Sequence, residues 1–329
     1  MKTLSFAVLI VTASALLLVG CADKSVPPVA PGDNASITPM SLNKGVVSGQ
    51  LIAFASNRGP IGGFNIYLMK SNGDKVTQLT FAQPADNGPE YYGRPDWSPD
   101  GTRMTITTVL QADGFKPEIY TMNADGSDKK NLHTPGLSEA SRWSLDGTKI
   151  AFGMSYQNTY QIYVMNPDGS NLNRVTNDPY QAHDVTWAPD SRRVAYSSYN
   201  DGQIHVINID GTSDRILTND PVFAMSPAWS TRGDVLLFVS YRDYPDYSST
   251  EIYSMNVDGT GLKRLTNNSY VDYEPRWSAN QSQIVFLSSR NNNFDLYVMN
   301  ANGSGETRIT ADPGFDADPA WIVGNVNFK

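Results

Sequence analysis

The chain has 329 residues, with 25 Lys and Arg against 33 Asp and Glu and a formal net charge of −8. An acidic chain without a basic run is poorly suited to nucleic acid or anionic lipid headgroups, whose phosphates are held by cationic surfaces. Its single cysteine excludes an internal disulfide framework, so the folded part must be held by packing.

Taken in order, residues 1–20 read as an export signal. Lys2 supplies the positive start, Leu4 to Val19 the apolar run, and Leu18-Val19-Gly20-Cys21 a lipobox-like end. The run is short for a membrane span. Cys21 is the expected lipid attachment site, and resemblance to bacterial lipoproteins implies diacylglyceryl and N-acyl (palmitate-type) chains there, enough for stable anchoring. Ala22 follows Cys21, so the aspartate that retains such proteins at the inner membrane is missing; the expected location is the outer membrane, facing the periplasm. Residues 21–48, rich in Pro, Ser, Asn and Gly, read as the lipidated Cys and a disordered tether.

From residue 49 the chain repeats itself. Its six tryptophans, Trp97, Trp143, Trp187, Trp229, Trp277 and Trp321, are spaced by 46, 44, 42, 48 and 44 residues, the period of four-stranded propeller blades. After each comes a turn such as Ser98-Pro99-Asp100-Gly101, then a strand with period-two apolar alternation, as in Met104 and Ile106 or Ile150 and Phe152. A third strand, such as Ile162-Tyr163-Val164-Met165, runs into an Asn-Gly or Asp-Gly hairpin turn, and a short fourth ends in pairs such as Leu79-Thr80 or Val175-Thr176. Only eight residues follow Trp321, which predicts a second strand just beginning at Phe328, while Leu51 to Leu79 supplies three strands without a Trp. Joined, they make one blade and leave no open edge. The expectation is an all-β fold: a six-bladed β-propeller of four-stranded antiparallel blades over residues 49–329, closed by its N- and C-terminal segments.

The succession Pro-x-Trp-Ser-Pro-Asp-Gly, Ile-Ala-Phe, Ile-Tyr-Val-Met-Asn-x-Asp-Gly and Leu-Thr resembles the propeller repeat of TolB, of the Tol–Pal system. Related repeats occur in dipeptidyl peptidase-like and oligogalacturonate lyase propellers. The resemblance covers roughly residues 49–329 and implies the fold, with protein partners docking on one face; a fold does not by itself imply an activity. The α/β domain that precedes the TolB propeller has no counterpart, and a short polar segment takes its place.

No catalytic set emerges. His133, His183 and His205 fall at different repeat positions, so they are not expected to converge on a metal as channel histidines do in the lyase-like relatives. There is no Gly-x-Ser-x-Gly elbow. The Asp-Gly turns lack the alternating carboxylates and distal Glu of a calcium loop. No cofactor cradle is found. What remains is the position three residues before each Trp: Arg94, Ala140, Asp184, Ser226, Glu274 and Asp318. The resemblance makes the Trp strand innermost, so these should gather at one mouth of the channel, with His183 near it. They either hydrogen-bond to neighbouring blades and hydrate the channel, or form a docking site. In the second reading Arg94 is a fork for a partner carboxylate, and Asp184, Glu274 and Asp318 receive basic groups or a cation. The insert Tyr241 to Thr250 offers Tyr241, Tyr244 and Tyr247 as loop contacts; they could equally pack on their neighbour.

The reading is a lipid-anchored, non-catalytic envelope propeller that binds an envelope protein or peptide and meets the membrane through its lipid alone. Two rivals stand beside it. One is a carbohydrate-binding module whose tyrosines stack on sugar rings; the other is a cation-dependent lyase or hydrolase using the channel carboxylates.

Overall fold

A computed structural model describes residues 46–48, 51–60, 62–83, 90–110, 113–157, 159–179, 181–322 and 325–327. The export signal, Cys21 and the tether up to residue 45 lie outside them. Six four-stranded antiparallel sheets form a ring, and in each the Trp strand occupies one edge. These edge strands are 91–97, 137–143, 182–187, 224–229, 272–277 and 316–321, and each contacts the next around the ring. The Trp strands are therefore innermost, and all run in the same sense along the channel.

The apolar alternation of the second and third strands fills the gaps between blades. Phe54, Phe152, Tyr196, Phe238 and Phe286 occupy equivalent, almost fully buried positions. One such layer joins Ala195, Ile204 and Leu217 of one blade to Trp229, Phe238 and Tyr253 of the next. Removing a side chain of this kind typically costs about 3–5 kcal/mol. The Leu-Thr strand ends have a specific task. The hydroxyls of Thr80, Thr176, Thr218, Thr266 and Thr310 each accept the third-strand N–H of Ile66, Ile162, Ile204, Ile252 or Leu296 at 2.9 Å. This satisfies a buried donor where the short fourth strand runs out.

Closure joins the chain's two ends. Leu51–Ser56 pairs with Asp316–Trp321, Ile52 opposite Trp321 and Ser56 opposite Asp316. Arg58 seals the joint through a 2.7 Å ion pair to the fully buried Asp316, and its guanidinium lies over Phe54 and Tyr67. The C-terminal residues differ from expectation. Phe328, the expected start of a second strand, lies outside the described residues, and Leu51–Ser56 occupies the free edge of the last Trp strand. Residues 325–327 pair instead with 46–48 in a separate antiparallel ribbon, which carries strand pairing back into the segment read as tether.

Candidate functional site

Every Trp strand carries a bulge at the same place. Its pairing with the second strand slips between the residues four and one before the Trp, as between Gly93 and Asp96, Met225 and Ala228, or Tyr273 and Arg276. The residue three before the Trp is left-handed in all six blades: φ is 49° at Arg94, 57° at Ala140, 52° at Asp184, 51° at Ser226, 52° at Glu274 and 53° at Asp318. Non-glycine residues rarely adopt this conformation. A bulge re-aims the side chain it carries, and here all six line one narrow cavity on the channel axis. The sequence did hold a sign of it: Pro95, Pro227, Pro275 and Pro319 follow four of the six, and proline inside a strand marks a bulge where no ladder N–H is needed.

The structure thus gathers Arg94, Asp184, Glu274 and Asp318, but as a band inside the channel rather than at an open mouth. Arg94, Glu274 and Asp318 are buried, because the bulge turns them inward where the blades are closest. Each carboxylate also ties its blade to the next. Asp184 accepts the main-chain N–H of Ser226 at 3.4 Å, Glu274 that of Asp318 at 2.9 Å, and Asp318 that of Arg94 at 3.0 Å. Burial and the neighbouring Asp318 charge push the Glu274 carboxyl up to about 7, against the pull of Arg94 and Arg276. Burial alone would weaken the Arg94 guanidinium, but Glu139 and Asp318 outweigh it and hold its pKa well above the usual value.

On the side of the band away from the tryptophans, the channel is edged by aromatic groups. The His183 ring lies flat between Tyr160, at 4.0 Å and 9°, and Tyr199, at 4.3 Å and 22°. Its Nε2 is 2.9 Å from Gln181 Oε1, and burial lowers its pKa. Tyr160 donates to Glu139 at 2.8 Å, Glu139 lies 3.7 Å from Arg94, and Tyr91 donates to Asp318 at 3.1 Å. Sequence reasoning missed Tyr91, Glu139, Tyr160 and Tyr199. Gly153 was the available signal, since a Cβ there would come within 2.4 Å of the Tyr160 hydroxyl, and a glycine inside a strand marks a close approach.

The Tyr-rich insert reaches the same rim. Tyr199 meets Phe223 edge-on, the Phe223 carbonyl accepts the Tyr241 N–H at 3.3 Å, and the Tyr241 ring lies 5.0 Å from that of Tyr247. Tyr247 is 53% exposed. Tyr244 is different: its hydroxyl is pinned to the Asn268 carbonyl in the segment that leads to the following blade, a packing role. His205 is a structural stand-in for tyrosine, between Asp201 at 3.0 Å and Asp214 at 3.2 Å. Among the described residues, no group of three or more His, Cys, Asp or Glu is placed to hold a metal ion.

Six four-stranded blades, one of them closed by strands from both ends of the chain, define a six-bladed β-propeller. The family description "TolB beta propeller domain" matches residues 87–208 and 203–327, and the chain belongs to that family. It is 28% identical over 169 residues to the Protein TolB homolog of Chlorobium luteolum, covering 51% of this chain and 36% of that protein. It is 28% identical over 106 residues to dipeptidyl-peptidase 5 of Porphyromonas endodontalis, covering 31% of this chain and 15% of that one. The chain thus matches well under half of either relative's length. Among solved structures, TolB from Acinetobacter baumannii superposes with a TM-score of 0.71 at 19% identity, over 83% of this chain and 66% of that one.

Proposed function

We propose that this protein is a non-catalytic envelope propeller that docks a protein or peptide on the aromatic rim at one end of its channel, held to the outer membrane by lipid on Cys21. One observation carries the docking reading. The Tyr241–Tyr247 insert and the His183 stack, distant in sequence, meet on one rim beside the charged band. Large aromatic rings that are part apolar and part polar, on a rigid frame, are what binding surfaces are made from. The buried band fits a supporting part, since Arg94, Glu139 and Asp318 fix the tyrosines from below. The TolB kinship supports a place in the cell envelope and a partner there.

The test is photo-crosslinking in the native envelope from a reactive residue at Tyr247, with Ile216, exposed on an outer strand of another blade, as control. A discrete protein adduct from Tyr247, absent from Ile216 and lost on His183→Ala, is the expected result. Equal adducts from both positions, or none from Tyr247, refute docking at this rim.

A further inference from the structure

The opposite end of the channel is built differently. Beyond the band lies a second cavity of about 120 Å³, lined by all six tryptophans. That is close to the size that holds a benzene-sized guest, about 150 Å³ in an engineered apolar cavity. The residues just before the tryptophans supply its polar groups: Asp96, Arg142 and Arg276, with Thr186, Ala228 and Ala320 completing the layer. Arg142 and Arg276 each spend one N–H on the carbonyl of the preceding residue, Ser141 at 2.9 Å and Pro275 at 3.0 Å. Among the described residues, neither has a carboxylate within ion-pair distance, whereas Arg94 has Glu139 at 3.7 Å. Asp96 is the acid in their layer, and one of its oxygens is taken by the Trp143 N–H at 2.7 Å.

Two part-buried guanidiniums facing one apolar cavity are unusual in an acidic protein, and both stand between it and the band, bordering the band's cavity beside Asp184 and Glu274. Buried charges are ordinarily paired, and arginine's fork of donors matches a carboxylate bidentately. We propose that the Trp-lined end of the channel is a binding site for a single carboxylate on a short aliphatic stem, clasped by Arg142 and Arg276 with its stem against the indole rings. The Asp184, Glu274 and Asp318 band behind them stops an anion from going deeper. Burial and the neighbouring Arg142 charge lower the Arg276 pKa to about 10, against the pull of Glu274, Asp96 and Asp184. The site lies at the other end of the channel from the docking rim and does not depend on it.

All six tryptophans line the cavity, so intrinsic fluorescence reports occupancy directly. The full chain is titrated at neutral pH with butyrate, with Ala-Gly-Leu bearing a free or an amidated C terminus, and with N-acetyl-Ala-Asp-Ala-amide. Concentrations reach about 10 mM, some tenfold above a millimolar Kd. Saturable change with one or more free carboxylates, at least tenfold weaker in Arg276→Gln and absent with the amidated Ala-Gly-Leu, upholds the site. The ranking of the three carboxylates then tells a small-molecule ligand from a peptide terminus or an acidic side chain. Asp96→Asn keeps the acceptor for Trp143 and removes the competing charge, so it should tighten binding several-fold even if Arg276→Gln folds poorly. No saturable change with any carboxylate, equal response to free and amidated peptide, or unchanged affinity in Asp96→Asn overturns the proposal.

Discussion

The Asp-Gly turns offer a test of how the blades are held at their spacing. Gly126 and Gly259 sit in equivalent turns with φ of 84° and 90°, so alanine at either carries the same left-handed cost of about 1–2 kcal/mol. Their surroundings differ. A Cβ on Gly126 would lie 2.4 Å from the Leu79 carbonyl oxygen of the preceding blade, whereas on Gly259 the nearest atom, the Leu217 carbonyl oxygen, is 3.6 Å away. The first is a collision with backbone, which must shift at an overpacking cost of about 1–3 kcal/mol; the second is ordinary contact. Gly259→Ala should therefore lose about 1–2 kcal/mol, and Gly126→Ala about 2–5 kcal/mol. Urea unfolding followed by tryptophan fluorescence reads both. Losses equal within about 0.5 kcal/mol would mean that these glycines serve the turn alone and that the blade-to-blade approach is slack.

Three further outcomes are expected. The Glu274 carboxyl, raised from 4.5 to about 7 in the folded protein, contributes stability that is fully present below pH 4.5 and is lost as pH rises through about 7, on the order of 3 kcal/mol. Glu274→Gln keeps an acceptor for the Asp318 N–H and should flatten that slope, so parallel pH profiles for the two proteins would refute the assignment. Arg58→Met strands the fully buried Asp316 carboxylate and should cost about 3–5 kcal/mol, with much of the loss recovered when Asp316→Asn is added; a double mutant no better than the single would show that the pair is not what closes the ring. If Cys21 carries the lipid, Cys21→Ser should abolish metabolic labelling by a palmitate analogue and release the protein from the membrane fraction, and label retained by the variant would rule out that anchor.

The ring of blades was legible because its signals are local and periodic: six tryptophans, alternating strands and Asp-Gly turns each follow from a few neighbouring residues. The bulges were legible only in part: Pro95, Pro227, Pro275 and Pro319 mark four of them, but Arg94, Ala140, Asp184, Ser226, Glu274 and Asp318 share no conformational preference, and their common left-handed backbone is imposed by the crowding of six strands round one axis. That same constraint hid the burial of the band. It also hid the pairings across the joint, such as Arg58 with Asp316, which depend on segments 258 residues apart.

A fold that fixes six backbones identically leaves the side chains at two levels free to vary, three and one residues before each Trp. In this chain the first level carries Arg94 against Asp184, Glu274 and Asp318, and the second carries Arg142 and Arg276 against Asp96. The channel is therefore acidic at its middle and basic toward the tryptophans. The bulge does not demand that polarity, since Ala140 and Ser226 take the same left-handed backbone, even though Asp184, Glu274 and Asp318 also tie blade to blade. Charges stacked in opposite signs along the axis, at positions where other blades carry Ala, Ser or Thr, are where the function of this particular propeller is to be sought.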